Sequence, residues 1–322
     1  MRLDEACSPA FARHETFQPR YGWLKKAVDA AEQEGDMFNR DDAVVKLGVG
    51  KNMVRSIRHW GHAFKLLEHE EVSGSRRPLS RPSAIGRDMF GDEGVDPYCE
   101  LPGTLWLLQW WLLAPPSISP VWWLALNEFP GIEFTEEELQ QFVLDRVGDW
   151  ASPHASSVKK DVSVLLRMYS SGEAVRATFE ERIDCPFRDL GLIQPSTANP
   201  GGYRFLLGPK ATLPSLVFVA CILDFTMRTD NNARTINLSR ASTEIGSPGR
   251  AFKLSDKAVL ELLEDAVGRT DHVRLTSAAG MPQLTIQGSA RVALRGVLND
   301  HYLTYGRGLR AGEFVTGQGS AA

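Results

Sequence analysis

Cysteine is scarce in this chain and never in company. Cys7, Cys99, Cys185 and Cys221 are the only four. They form no CxxC pair and have no histidine at zinc-ligand spacing, so neither a structural zinc site nor a disulfide scaffold is expected. An unbroken hydrophobic run is also missing. The most apolar stretch, Leu105 to Leu126, contains Pro115, Pro116 and Pro120, which cut it into pieces too short to span a bilayer as a helix. It reads as buried core. Met1 to Ala10 carries charges and a proline where a signal peptide would have an apolar run, so a cytoplasmic protein with no membrane partner is expected. Basic residues are nearly absent from one segment. Asp88 to Asp149 holds one, Arg146, against twelve Asp and Glu, whereas Arg40 to Arg87 holds ten Lys and Arg against five acids. The formal net charge of −4 over 322 residues therefore averages a basic module with an acidic one. The first could hold nucleic acid electrostatically; the second could hold divalent cations, a basic partner protein, or neither.

What is present is an ordinary globular composition, 43% hydrophobic and 24% charged, long enough for two or three domains. Its most informative segment is Lys51 to Glu68, KNMVRSIRHWGHAFKLLE. At about 100° per residue, Met53, Ile57, Trp60, Phe64 and Leu67 fall on one stripe, and Lys51, Arg55, Arg58 and His62 on the opposite one. Leu47-Gly48-Val49-Gly50 joins it to a shorter helical segment, the arrangement of a helix-turn-helix, whose second helix enters the DNA major groove. The alternative is an amphipathic surface helix in a bundle, but such a helix mixes charge signs on its wet face, and here no carboxylate occurs before Glu68. Lys51, Arg55, Arg58 and His62 are the candidate DNA contacts. Asn52 either reads a base edge or caps the helix, and capping is the commoner role for asparagine at such a position. A helix-turn-helix often works as a homodimer on a two-fold site, although no heptad seam marks one here.

Punctuation and periodicity give a mainly α fold in three parts. Residues 1–87 form a helix-turn-helix domain ending in a basic linker, residues 88–150 an acidic, Trp-rich, all-helical domain, and residues 151–322 a winged-helix-like region with short β-hairpins. The linker, Val72 to Arg87, is rich in Ser, Pro, Gly and Arg. It serves either as a solvated loop or as an arm whose Arg76 and Arg77 lie on DNA. Trp106, Trp110, Trp111, Trp122 and Trp123 sit among leucines, as core helices do, rather than standing out for base stacking. Thr135-Glu136-Glu137-Glu138 has the pattern of a capping box, which explains its acidity without function. Ser157 to Ser170 is helical with Lys159, Lys160 and Arg167 on its polar side. Phe187 to Leu207 reads as a short helix, a turn and a strand pair. Ser255 to Val267 followed by Val273 to Thr276 and Gln283 to Ile286 repeats that helix-then-hairpin pattern.

Three motifs carry a family resemblance. ARHETFQPRYGWLKKA (Ala12 to Ala27), LGVGKNMVRSIRHWGHAF (Leu47 to Phe64) and DPYCELPGTLWLLQWWLL (Asp96 to Leu113) together resemble the SspB family of bacterial single-stranded DNA phosphorothioation systems. The likeness is concentrated in the first 130 residues or so. It implies a DNA-nicking, double-stranded-DNA-binding component of an anti-phage modification system. Its implied partners are a cysteine desulfurase, an ATPase and an ATP-pyrophosphatase-like subunit.

Residues able to cut a phosphodiester are a separate question. Nucleases commonly use convergent carboxylates to hold Mg2+ or Mn2+. Asp96 and Glu100, at i and i+4 inside the third motif, would share a helical face, making them the candidate metal ligands and catalytic residues. The competing explanation is that Asp96 before Pro97 is an N-cap and Glu100 a solvated first-turn acid. The second candidate is His14 with Glu15, as general base or metal ligand; adjacent residues point apart on a regular element, so the pair needs a loop to converge. No tyrosine stands beside a histidine triplet or an Arg-His-Arg set that would recommend a covalent nucleophile. Gly48-Val49-Gly50-Lys51-Asn52 is too short for a phosphate-binding Walker loop. A DNA-binding subunit that recruits partners without cutting is the alternative.

Overall fold

Helices form where apolar residues take up a 3.6-residue period, and glycines stop them. The computed structural model describes residues 1–72, 77–170 and 185–309. After the single turn α1 (Leu3–Ala6), α2 (Trp23–Gln33) buries Trp23, Leu24, Ala27, Val28 and Ala31 along one stripe. α3 (Ala43–Leu47) ends at Gly48, whose φ of 62° lies in the left-handed region that glycine enters without strain. Two residues on, the extended Gly50 precedes α4 (Lys51–Ala63). Val54, Ile57, Trp60 and Ala63 of α4 are buried, so the sequence-predicted helix-turn-helix is formed, with its apolar stripe inward.

The chain then does something the composition hid. β1 (Leu67–Glu70) pairs antiparallel with β2 (Leu79–Pro82), Leu67 opposite Pro82, and α5 (Ala84–Phe90) starts at the Ser83 cap, whose hydroxyl accepts the Gly86 amide. From Leu79 on, the expected linker is thus a strand and a helix start; Pro82 fits because it closes the strand at an edge. Residues 73–76, with Arg76, lie outside the described residues.

Two further units share one topology. In the first, α7 (Pro120–Asn127) leads to β3 (Glu133–Phe134), α8 (Glu136–Ala151), α9 (Ala155–Tyr169), β4 (Ile193–Pro195) and β5 (Tyr203–Phe205), with sheet order β3-β5-β4. In the second, α10 (Ser215–Thr229) leads to β6 (Thr235–Asn237), α11 (Leu238–Thr243), α12 (Pro248–Ala251), α13 (Asp256–Val267), β7 (Val273–Ala278) and β8 (Met281–Ile286), with order β6-β8-β7. In each, a lone strand is followed by helices and then by a hairpin whose last strand pairs with the lone one. That is the helix-then-hairpin pattern expected of the C-terminal half. It begins earlier than expected, because β3 pairs with β5 (Phe134 opposite Tyr203), and the middle block is therefore not all-helical. α14 (Ala290–Leu303) closes the chain against α10.

α6 (Pro102–Leu113) is apolar all round and buried from Gly103 to Leu113. Trp106, Trp110, Trp111, Trp122 and Trp123 are each at most 2% exposed, so none is available to stack on a base. Thr135 and Glu138 form the predicted capping box at the start of α8, the Thr135 hydroxyl accepting the Glu138 amide at 3.1 Å and the Glu138 carboxylate accepting the Thr135 amide at 2.7 Å. No helix among the described residues is long and apolar enough to cross a membrane.

Candidate nucleic-acid interface

The outward face of α4 divides in two. Its first turns carry Lys51, Asn52 and Arg55, all exposed. Asn52 sits inside the helix after the Gly50 cap, so the expected capping role for Asn52 is not realised. Arg55 is 54% exposed and meets Glu15 at 3.3 Å. The second half of the face is covered by the β1–β2 hairpin. Arg58 is partly buried, donating to Asn39 Oδ1 at 3.1 Å and to Pro78 O at 3.4 Å. His62 bonds Ser80 Oγ at 3.0 Å and stacks on His69 with ring centres 3.9 Å apart. Burial, then the charges of His69 and Arg58, push its imidazole down to about 3. His62 is therefore neutral packing material, a correction to its place among the DNA contacts: the stripe predicted for α4 is right, but the hairpin covers its C-terminal end. Arg77 is exposed at the mouth of the hairpin.

His14 and Glu15 lie in a loop, yet they diverge. Positive φ values at Ala12, Glu15 and Thr16, of 53°, 50° and 67°, turn the chain so that His14 is buried while Glu15 reaches Arg55. His14 Nδ1 accepts the Thr16 amide at 3.1 Å, so Nε2 carries the proton and donates to Asp161 Oδ1 at 2.5 Å. Both ring nitrogens are committed. No lone pair remains for a general base or a metal, and the expected catalytic role of His14 with Glu15 finds no geometry here. Asp161 Oδ1 also accepts the Ala12 amide at 2.9 Å. Burial raises the Asp161 carboxyl, against the lowering influence of His14 and the Ala12 amide. The His14 ring stacks on Trp60, centres 6.1 Å apart, so the pair ties the N-terminal loop, α4 and α9 into one core.

Asp96 and Glu100 do not share a helical face, because α6 begins only at Pro102. Asp96 is fully buried and caps a turn: Oδ1 accepts the Glu100 amide at 2.9 Å and Oδ2 the Leu101 amide at 3.0 Å. Arg307 approaches from the far end of the chain, 3.5 Å from Asp96 Oδ1 and 3.5 Å from Glu100 Oε2, and donates to Val95 O at 3.0 Å. Glu100 points outward, 64% exposed. A carboxylate whose two oxygens hold backbone amides beside a guanidinium offers little to a dication. No group of three or more His, Cys, Asp or Glu side chains that could hold a metal ion occurs among the described residues.

Sequence reasoning places Lys159, Lys160 and Arg167 on a polar helix side without connecting them to α4. The connection runs through Asp161, next in the chain, and its partner His14, 147 residues away. A buried acid directly after two exposed lysines is the only local signal.

A protein-family profile described as "Protein of unknown function (DUF4007)" matches residues 11–302, and no curated protein matches the chain. Two solved structures are similar to it, one described as "Magnesium ion-bound SspB crystal structure" and the other as "SspB crystal structure". Each superposes with a TM-score of 0.88 at 36% sequence identity, covering 94% of this chain and 90% of the other.

Proposed function

Because the chain belongs to the SspB family, we propose that it is the DNA-contacting component of a bacterial DNA phosphorothioation system. The observation that carries the reading is the open start of α4, where Lys51, Asn52 and Arg55 project from the second helix of a helix-turn-helix. The N-terminal residues of such a helix reach the major groove, lysine and arginine meeting phosphates and asparagine suiting an adenine edge. The β1–β2 hairpin that follows would serve as a wing along the backbone, with the exposed Arg77 in its connecting loop. Cysteine desulfurase, ATPase and ATP-pyrophosphatase-like partners would act at the site this chain marks.

Nicking is the finer part of the proposal. A relative described as magnesium ion-bound supports Mg2+ as the metal to test, with Mn2+ beside it. Asp96 does not fit the ion, since its oxygens are already satisfied by amides, and no cutting step is assigned through it. The same observation favours a second reading, a subunit that binds DNA and recruits partners without cutting.

Supercoiled-plasmid relaxation with Mg2+ or Mn2+ and an EDTA control, run beside plasmid binding, separates the two. Metal-dependent open-circle product that disappears, together with binding, in a Lys51→Glu/Arg55→Glu variant supports the nicking component. Binding without product supports the recruiting subunit. Absence of DNA binding by the wild-type chain overturns both.

A further inference from the structure

Two helices from different units end on the same short loop. From α4, Trp60 Nε1 donates to Phe17 O at 3.0 Å and Arg55 meets Glu15 at 3.3 Å. From α9, Asp161 accepts Ala12 and His14, and Arg167 Nη2 donates to Thr16 O at 2.7 Å. Glu15 and Thr16 are consecutive, about 3.8 Å apart along the chain, so guanidinium groups of two helices converge on neighbouring residues. Each helix holds the same place in its unit, after a helix–helix turn and before a strand pair.

The surface around this junction is basic. Lys160 and Arg167 are seven positions apart on α9, about 20° from eclipsed, so Lys160 stands on the stripe whose far end touches Thr16. Lys159 and Lys160 are exposed, and neither has an ion-pair partner among the described residues. Arg13, on the loop itself, is exposed. Of the acids at the junction, Glu15 is held by Arg55, Glu136, within electrostatic reach of Lys159 and Arg167 from α8, is partly buried with its carboxyl raised by burial and by Glu137, and Glu137 itself is exposed.

We propose that α4 and α9 form one composite surface for a single DNA duplex, Lys159 and Lys160 meeting backbone phosphates beside the segment engaged by Lys51 and Arg55. This rests on the DNA-binding reading of α4. A helix in the groove fixes register, and a second set of cations on the flanking backbone adds affinity without reading sequence. The continuity of the surface through residues 12–17 explains why that loop is tied to both helices by buried bonds and not left as a solvated lead-in.

The test is fluorescence anisotropy of the full chain on a labelled duplex of about 30 base pairs, titrated over a range of salt concentrations. Four proteins are compared: wild type, Lys51→Glu/Arg55→Glu, Lys159→Glu/Lys160→Glu and Lys159→Arg/Lys160→Arg. The proposal expects the α9 reversal to weaken binding at least tenfold at fixed salt. It should also flatten the log K against log salt slope by about 0.9 for each phosphate that is no longer neutralised, with affinity kept in the arginine pair. Retained affinity and slope in the α9 reversal, while the α4 reversal abolishes binding, overturns the composite surface and leaves the DNA reading standing. No binding of duplex by the wild type overturns the reading as well. A reversal variant is compared only if its thermal midpoint and far-ultraviolet circular dichroism match the wild type, and where it does not, Lys159→Gln/Lys160→Gln takes its place with the same expected flattening of the slope.

Discussion

Asp96 shows how a residue can sit in a recognisable motif and still be structural. Its two oxygens hold the amides of Glu100 and Leu101, which lets the chain turn sharply into α6. Asn at this position presents one acceptor oxygen in place of two. Asp96→Asn should therefore leave a buried amide unmatched and weaken the attraction to Arg307, costing about 1–3 kcal/mol. In a chain of this size that lowers the thermal midpoint by roughly 2–6 °C, read by differential scanning calorimetry. Adding Mg2+ should shift wild type and variant equally. A variant as stable as wild type, with Mg2+ stabilising the wild type alone, would return Asp96 to a metal role. The sequence could not separate these roles, because Asp96 before Pro97 satisfies both the acidic-cluster pattern and the turn pattern. Arg307, which completes the structural answer, lies 207 residues from Glu100.

At the scale of elements, periodicity makes some pieces legible and pairing hides others. α4 is readable because Ile57, Trp60 and Phe64 recur at helical spacing, and Gly48 with Gly50 marks its start. The β1–β2 hairpin is not. Leu79-Ser80-Arg81-Pro82 has the composition of a loop, and it becomes a strand only by closing over His62 and Arg58. That closure has a pH signature. His62 titrates near 6.5 in the unfolded chain and near 3 when folded, so as pH falls below 6.5 the unfolded chain takes up the proton first. The stability from neutral His62 is complete above about 6.5 and fades progressively toward pH 3. His62→Gln keeps a partner for Ser80 and cannot titrate. Urea unfolding between pH 6 and pH 4 should therefore show a stability slope flatter than wild type by up to about 1.4 kcal/mol per pH unit. An unchanged slope would show that the hairpin does not bury this imidazole.

For the whole molecule, the sequence divides into a basic part, an acidic part and a winged-helix-like remainder, whereas the packing runs across those lines. One hydrophobic cluster includes Trp60 of α4, Trp110 of α6, Tyr169 of α9, Phe218 of α10 and Tyr302 of α14. The boundary near residue 87 is crossed by His14 with Asp161, and the one near 150 by β3 with β5 and by Tyr302 with Thr104, whose hydroxyls lie 3.0 Å apart. Trp110 Nε1 donates to Asp224 at 2.7 Å, and Asp224 in turn holds Arg228 at 2.8 Å, so even these polar groups of the core are paired between parts. Separate domains would each need a core of their own. Residues 1–87 have only a small cluster of their own, Ala30, Met37, Ala43, Leu47 and Val54; the rest of the apolar face of α4, around Trp60, is completed by Trp122 from the middle block, and residues 1–87 alone would expose it. Urea unfolding should accordingly give a single transition, with tryptophan fluorescence and far-ultraviolet circular dichroism coinciding at one midpoint. A fragment ending at residue 87 should fail to fold. Two resolved transitions, or a folded 1–87 fragment, would mean that the basic module is an independent DNA-binding domain. In that case α9 would be free to move relative to α4, and the composite surface would lack its rigid basis.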